Sequence, residues 1–401
     1  MVDLSSQYLR LKSEIDSAVQ DVFKSAEFIN GTPVMSFCEN LSSYMDVPHV
    51  IPCGNGTDAL RIALQALNIG PESDVILPAF TYIAPIEAVA SVGASPILVD
   101  VDPATFNINP ELIEKAITAH TKAIIVVHLF GQSCDMEAIM KIAGKYKLAI
   151  IEDNAQSLGA SFTFSNGSSK MAGTMGHIGI TSFFPTKPLA CYGDGGALFT
   201  SDNELAEQIR LLANHGQTKK YHHKIIGSNS RLDTVQAAIL NIKLKYLDEF
   251  TQRRQQIAER YDNALSSCQD IVLPKKCSHP TKPDFPLTTN HSSLITNHIY
   301  HQYTIRVQNG RRDKLKSYLE ENGIQSMIYY PLPTHEQEAY KWVARLSGDL
   351  NESKLLCNEV LSIPICPEMT DDVQTLIIEA IKKFFDNELL QVCVADVPEK
   401  S

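Results

Sequence analysis

Three short stretches carry residue types that could do chemistry together. In Ser182-Phe183-Phe184-Pro185-Thr186-Lys187, followed by Tyr192-Gly193-Asp194-Gly195-Gly196, a lysine leaves an apolar run. Such a lysine can be desolvated, which lowers its pKa and frees its amine for Schiff-base chemistry. That sets Lys187 apart from the solvated lysines of an ordinary surface. Ser182 could offer a hydroxyl to an anion, and the Gly-rich turn permits close backbone approach to a ligand. In Ile150-Ile151-Glu152-Asp153-Asn154-Ala155-Gln156, an acid ends a buried strand at the carboxyl edge, where open α/β sheets keep their ligands. A buried acid needs a cationic partner. A protonated pyridine nitrogen would be one, and the ion pair would keep its ring an electron sink. Gln156, three residues on, could reach a ring oxygen. A helix N-cap is the other reading of Asp153 on this motif alone. The third stretch, Cys53-Gly54-Asn55-Gly56-Thr57-Asp58-Ala59-Leu60, runs a glycine turn into an amphipathic helix. Free N–H groups and the dipole at such a terminus bind phosphate. Gly54-x-Gly56-x-x-Ala59 also matches the dinucleotide fingerprint, which wants an acid about twenty residues on. Ala79 and Phe80 stand there instead. A plain phosphate cup and a mere helix cap both stay open.

These stretches must be positioned by strands and helices. From about residue 57 to 210, short apolar runs alternate with helical patterns, as in β-α units feeding a mostly parallel sheet covered on both faces. Strands are expected at 75–78, 96–99, 123–128, 148–152, 179–184 and 197–200. Leu60, Ala63, Leu64 and Leu67 mark one helix, and Val235, Ile239 and Ile242 another. A polar helix is expected at 247–265, then an irregular excursion at 275–298 dense in Pro, Ser, Thr and His. A strand at 303–307, a helix at 312–322, a Pro-rich loop at 330–335 and two closing helices suggest a smaller α+β unit. The fold class is α/β, divided near residue 260 into a large domain, 1–260, and a small one, 261–401.

With 401 residues, 44% hydrophobic and 20% charged, the chain has the composition of a folded globular protein. A net charge of −11 gives no general attraction to nucleic acid or an anionic membrane, so an anionic ligand needs a local device. Nine scattered cysteines without a C-x-x-C pair argue against a disulfide framework or a zinc site. A reducing cytoplasm is the expected compartment. The opening Met-Val-Asp-Leu reads as no secretory signal, and no apolar run has membrane-spanning length. His298-x-x-His301, with His279 and His291, lacks the Cys or carboxylate that would complete a metal set, so no metal is expected.

Further motifs run over nearly the whole chain: Asp3-Leu4-x-x-Gln7-Tyr8, Phe28-Ile29-x-Gly31, Pro78-Ala79-Phe80-Thr81-Tyr82, His128-Leu129-Phe130-Gly131-Gln132 and Tyr330-Pro331-Leu332-Pro333-Thr334-His335. Together with the three stretches they resemble the DegT/StrS-type sugar aminotransferases, of the aspartate-aminotransferase fold, or fold type I. The resemblance implies a transferase dependent on pyridoxal 5'-phosphate (PLP). By it, Lys187 is the Schiff-base lysine, Asp153 the pyridinium partner and Gln156 the residue on the ring oxygen. Thr57 and Asp58 amides, beside Gly56 and with Ser182, would form the phosphate cup. Tyr82, which by itself reads as an ordinary strand-end aromatic, would stack on the ring. Asn229 would reach the phosphate from a neighbouring subunit, which implies a homodimer with shared active sites.

The implied reaction moves an amino group from L-glutamate to a nucleotide-linked keto-sugar, with Lys187 as general base, to make an amino sugar for surface polysaccharide or a related glycan. The stretch 221–233 and Cys191-Tyr192-Gly193-Asp194-Gly195-Gly196 look most like members that aminate a C3 ketone; members acting on C4 ketones are the nearest rivals. Arg231, Tyr329 and Tyr330 are expected beside the sugar nucleotide. The basic run Lys219, Lys220, His222, His223, Lys224 and Arg231 would suit a diphosphate or form a solvated face. Three departures bear on the substrate: Asn154 where the family often has Ala, Tyr329-Tyr330 where many members have His-Tyr, and the long 275–298 segment. Two readings from other classes are a nicotinamide dehydrogenase built on the Gly54 turn and a PLP-binding regulator without turnover.

Overall fold

The computed structural model describes residues 2–277 and 296–395. An eight-stranded sheet forms its centre, in the order His49–Cys53, Gly196–Thr200, Ile178–Ser182, Ala149–Asp153, Thr121–Val127, Asp74–Pro78, Ser95–Val99 and Arg345–Leu346. Gly196–Thr200 runs antiparallel to both neighbours, and every other pairing is parallel. The expected strands are all present, with ends shifted by a residue or two. Asp153 itself closes its strand.

The two-residue period of the strands sorts the apolar side chains onto two faces. Leu77, Ile125, Ile151 and Ile180 join one buried cluster, with helices Gly56–Ala66, Ala84–Ser91 and Asn203–Ala213 over them. Ile76, Ile124, Val126 and Ile150 join the opposite cluster, under Pro110–Ala116 and Met136–Tyr146. Consecutive strand residues point to opposite faces, so Asp153 falls on the side of Ile151 and helix Gly56–Ala66, and Glu152 on the other.

Three elements ahead of helix Gly56–Ala66 were not anticipated. Helices Leu4–Ser25 and Thr32–Met45 precede the sheet, and His49–Cys53 forms its edge. Pro52 inside that strand masks its pattern; an edge strand tolerates it because one side of its backbone needs no ladder partner.

Beyond the sheet, helix Leu247–Leu265 runs straight through residue 260. Its Leu247 packs with the first part, while Ile257, Ala258, Tyr261 and Leu265 enter a separate core. That core covers a three-stranded antiparallel sheet, ordered Ile271–Val272, Tyr303–Val307, Val360–Ile363, with helices Arg312–Glu321 and Asp371–Ala395. The strand Val360–Ile363 between the two closing helices was unforeseen. Arg345–Leu346 returns to the large sheet beside Ser95–Val99. Of the 275–298 excursion, Thr296–Asn297 pairs with Ser161–Phe162. His279 and His291 lie outside the described residues.

Candidate active site

Asp153 and Ser182 stand at the carboxyl ends of neighbouring parallel strands, and Lys187 follows five residues after Ser182, its charge acting on Asp153. The Asp153 carboxylate accepts the Ala155 amide at 3.0 Å. Burial pushes its carboxyl above the usual range, against the pull of that amide and of the Lys187 charge. Lys187 is fixed through its amide, which donates to the Phe184 carbonyl at 2.8 Å. Burial pushes its amine below the ordinary lysine value, and the Asp153 charge opposes that push. An acid and an amine, each burdened by desolvation, thus face the same space.

Gln156 forms the next wall. Its Oε1 accepts from the Phe130 amide at 2.9 Å and its Nε2 donates to the Tyr330 hydroxyl at 3.0 Å. The Tyr330 ring lies 6.3 Å from that of Tyr82, 6.0 Å from Phe80 and 5.7 Å from Tyr329. Tyr82 is 55% exposed, which leaves much of its ring uncovered.

Gly56 opens helix Gly56–Ala66 against Ser182: a Cβ at Gly56 would stand 2.8 Å from the Ser182 Cβ. First-turn amides have no acceptor within their own helix. The Asp58 amide is already taken, donating to the Asn55 side chain at 2.8 Å. Gly56 and Thr57 therefore present the amides left for an anion. The Asp58 carboxylate accepts from the Ser230 hydroxyl at 2.7 Å and pairs with Arg61 at 2.9 Å, while Ser230 Oγ accepts the Gly54 amide at 2.9 Å. Asp58 thus anchors the turn to the segment that carries Asn229 and Arg231.

Asn229 is exposed and pairs with Asn214 through a backbone bridge. Lys219, Lys220, His222, His223 and Lys224 stand on an exposed hairpin, Gln217–Lys219 with His222–His223. His298 stacks on Tyr300 at 3.9 Å, and its Nδ1 accepts the Tyr300 amide. Among the described residues no group of three His, Cys, Asp or Glu converges on a metal position.

Sequence reasoning passed over the fully buried pair His128 and Glu152. The Cys134 amide donates to His128 Nδ1 at 3.0 Å, so the ring proton sits on Nε2, 2.8 Å from Glu152 Oε2. Glu152 also accepts the amides of Gly173 at 2.8 Å, Met175 at 2.6 Å and Gly176. A carboxylate on the face of the strand turned away from helix Gly56–Ala66 so ties a glycine loop in place. Its only signal in sequence was an acid inside an apolar run.

The sequence profile of the DegT/DnrJ/EryC1/StrS aminotransferase family matches residues 9–382. The chain belongs to that family. A relative in Pseudomonas aeruginosa, UDP-2-acetamido-2-deoxy-3-oxo-D-glucuronate aminotransferase, is 42% identical over 91% of this chain and 94% of its own. A pleiotropic regulatory protein of Geobacillus stearothermophilus is 43% identical over 96% of this chain and 98% of its own. The crystal structure of a DegT DnrJ EryC1 StrS aminotransferase from Brucella abortus superposes with a TM-score of 0.86 at 40% identity, covering 96% of this chain and 98% of that one. The fold is therefore that of a PLP-dependent fold type I aminotransferase. The residues present fit PLP: among the described residues the buried Asp153 forms no ion pair within 4 Å, the Tyr82 ring is largely uncovered, and the start of helix Gly56–Ala66 lies close against Ser182, where first-turn amides and a hydroxyl meet. No helix among the described residues is long and apolar enough to cross a membrane.

Proposed function

We propose that this aminotransferase moves an amino group from L-glutamate to the C3 ketone of a nucleotide-linked sugar. The observation that carries the assignment of its site is the convergence of Lys187 and Asp153, oppositely shifted by the same burial, opposite the Gly56–Ser182 cradle. PLP, when bound, supplies an electron sink conjugated with the reacting carbon. In this reading the Gly56 and Thr57 amides, with the Ser182 hydroxyl, hold its phosphate, Asp153 pairs with its ring nitrogen, Gln156 turns its second N–H to the ring oxygen, and Tyr82 covers one face. Burial lowers the pKa of Lys187 and so favours the free amine, which would hold the cofactor and would take a proton from the substrate carbon and return it. Arg231, Tyr329 and Tyr330 border the space left for the sugar nucleotide.

The C3 preference is supported by the 3-oxo substrate in the name of the Pseudomonas aeruginosa relative. Asn229 serves a second subunit's phosphate in this reading, and the pattern of exposed apolar side chains supports a homodimer: Phe28 and Ile29 lie beside Asp233, while Tyr221 and Ile226 project from the hairpin region, Ile226 at 94% exposure. Residues 1–260 supply the cofactor residues and 261–401 the Tyr329-Tyr330 wall. The cytoplasm is the compartment proposed for it.

Borohydride reduction of the PLP-loaded protein followed by peptide mapping is expected to place the adduct on Lys187; an adduct elsewhere refutes the site. The Geobacillus relative's name favours a second reading, a PLP-binding regulator. L-glutamate alone separates the two, because a transaminase converts its cofactor absorbance band stoichiometrically and a regulator leaves it unchanged. A panel of 3-keto and 4-keto nucleotide sugars then fixes the acceptor.

A further inference from the structure

The amino ends of the parallel strands frame a cavity at the far end of the sheet from Asp153 and Ser182. Ala149 opens the strand that Asp153 closes, and Lys122 stands second in its neighbour Thr121–Val127. The cavity holds about 650 Å³, within the roughly 300–1,000 Å³ of small-molecule sites. Its floor is apolar, made by Ile69, Met140, Leu148 and Met175. Its rim carries Lys122, Lys147 and His177, and none of its lining residues is an acid. In a chain of net charge −11, a concave surface with basic side chains and no carboxylate runs against the average.

The walls are fixed by the fold. The Met175 and Gly176 amides donate to Glu152, the first at 2.6 Å, and the His177 amide donates to the Ile150 carbonyl at 2.9 Å. The Ile150 amide donates in turn to His177 Nδ1 at 3.0 Å, so the ring is held in one orientation with its proton on Nε2. Lysines beside a helix end often serve only its terminal carbonyls. Here those of Ala143 and Gly144 already accept the Leu148 and Lys147 amides, at 2.9 and 3.4 Å, and those of Leu64 and Gln65 accept the Ile69 and Asn68 amides, at 2.9 and 3.0 Å. Lys145 pairs with Glu114, whereas Lys122 and Lys147 enter no ion pair among the described residues. Two uncommitted cations and one oriented N–H donor therefore border an apolar hollow.

We propose that this cavity is a second binding site, separate from the proposed cofactor site, for a small anion with an apolar body. The floor takes the body by removing its surface from water, and the polarisable methionine side chains adapt to a flat ring. Lys122, Lys147 and the His177 Nε2–H meet a carboxylate, sulfonate or phosphate at the rim through charge-assisted hydrogen bonds. An uncharged molecule of the same shape gains only the first contribution.

The probe is anilinonaphthalene sulfonate, whose fluorescence rises in apolar surroundings, and phenylnaphthylamine is nearly the same body without the sulfonate. Both are titrated into the full-length, PLP-loaded protein. Lys122→Glu combined with Lys147→Glu is expected to weaken the sulfonate about tenfold or more and the uncharged analogue less than about twofold. Gly144→Trp fills the hollow: a Cβ added at Gly144 meets nothing within 4 Å, so the variant should fold, and it is expected to remove the saturable binding of both probes. Thermal melting checks that the variants are folded; should the charge-reversed pair fail, Lys122→Gln combined with Lys147→Gln makes the same comparison. Equal sulfonate affinity in parent and charge-altered protein, or binding undiminished by the tryptophan, overturns the proposal. A Gly144→Trp protein of altered oligomeric state would mark this face as an interface between copies and overturn it as well.

Discussion

Gln156 Nε2 donates to the Tyr330 hydroxyl at 3.0 Å, so a side chain at the end of the central sheet is tied to the loop that carries the Tyr329-Tyr330 pair. Tyr330→Phe removes that bond and keeps the ring packing on Phe80 and Tyr82. The expected cost is about 1 kcal/mol of stability. PLP affinity is expected to weaken severalfold, because among the described residues Gln156 is then held by the Phe130 amide alone. Thermal melting and a cofactor titration check the two effects.

Asp153→Asn should separate stability from function. Burial raises the carboxyl pKa in the folded apo-protein, so between the ordinary carboxylate value and the raised one the folded chain binds more protons than the unfolded. Stability contributed by this site therefore falls as pH rises through that window. Asparagine abolishes the penalty, and the apo variant is expected to melt higher than the parent at pH 7, with the gain vanishing near pH 3. Turnover at pH 7 is expected to drop on the order of 100-fold or more, since the ring loses its counter-charge. Melting curves at both pH values and steady-state rates decide it.

Gly56→Ala places a methyl group 2.8 Å from the Ser182 Cβ. Helix start and strand end must then move apart, at a cost of about 1–3 kcal/mol. Because the same contact defines the proposed phosphate cradle, PLP affinity is expected to fall more than tenfold. Equilibrium dialysis of cofactor against the variant measures it.

Asn154 is expected to be nearly neutral toward alanine. Its Nδ2 donates to the Ala172 carbonyl at 2.7 Å, but its Oδ1 is buried without a partner. Losing a bond worth about 1 kcal/mol is offset by removing an orphan acceptor of similar cost. Urea denaturation should show a change under about 1 kcal/mol, and a loss of several would contradict the account.

The placement of the candidate residues was legible where local sequence and local structure coincide. Lys187, Asp153 and the Gly54 turn each sit where a strand meets a loop, and strand-ending apolar runs announce such places. The contacts across the chain were not legible. Nothing near Asp58 in sequence announces that Ser230 holds its carboxylate, and the expectation that the Asp58 amide serves an anion did not foresee its capture by Asn55. His301 was weighed only as a metal candidate, since nothing near it in sequence announces that the turn at Gly131 packs against its backbone. Edge strands with a proline or only two residues, His49–Cys53 and Arg345–Leu346, carry too little periodicity to be seen.

The return of Arg345–Leu346 to the outer edge of the large sheet makes the molecule hard to halve. Its backbone completes the ladder beside Ser95–Val99, the Ser347 amide donates to Leu98, and Arg345 reaches the buried Asp74 at 3.2 Å. A fragment truncated after the helix Leu247–Leu265 would carry a bare, apolar sheet margin and an uncompensated interior carboxylate. Such a fragment would be prone to self-association, and the two pieces of a nicked chain should stay together through purification.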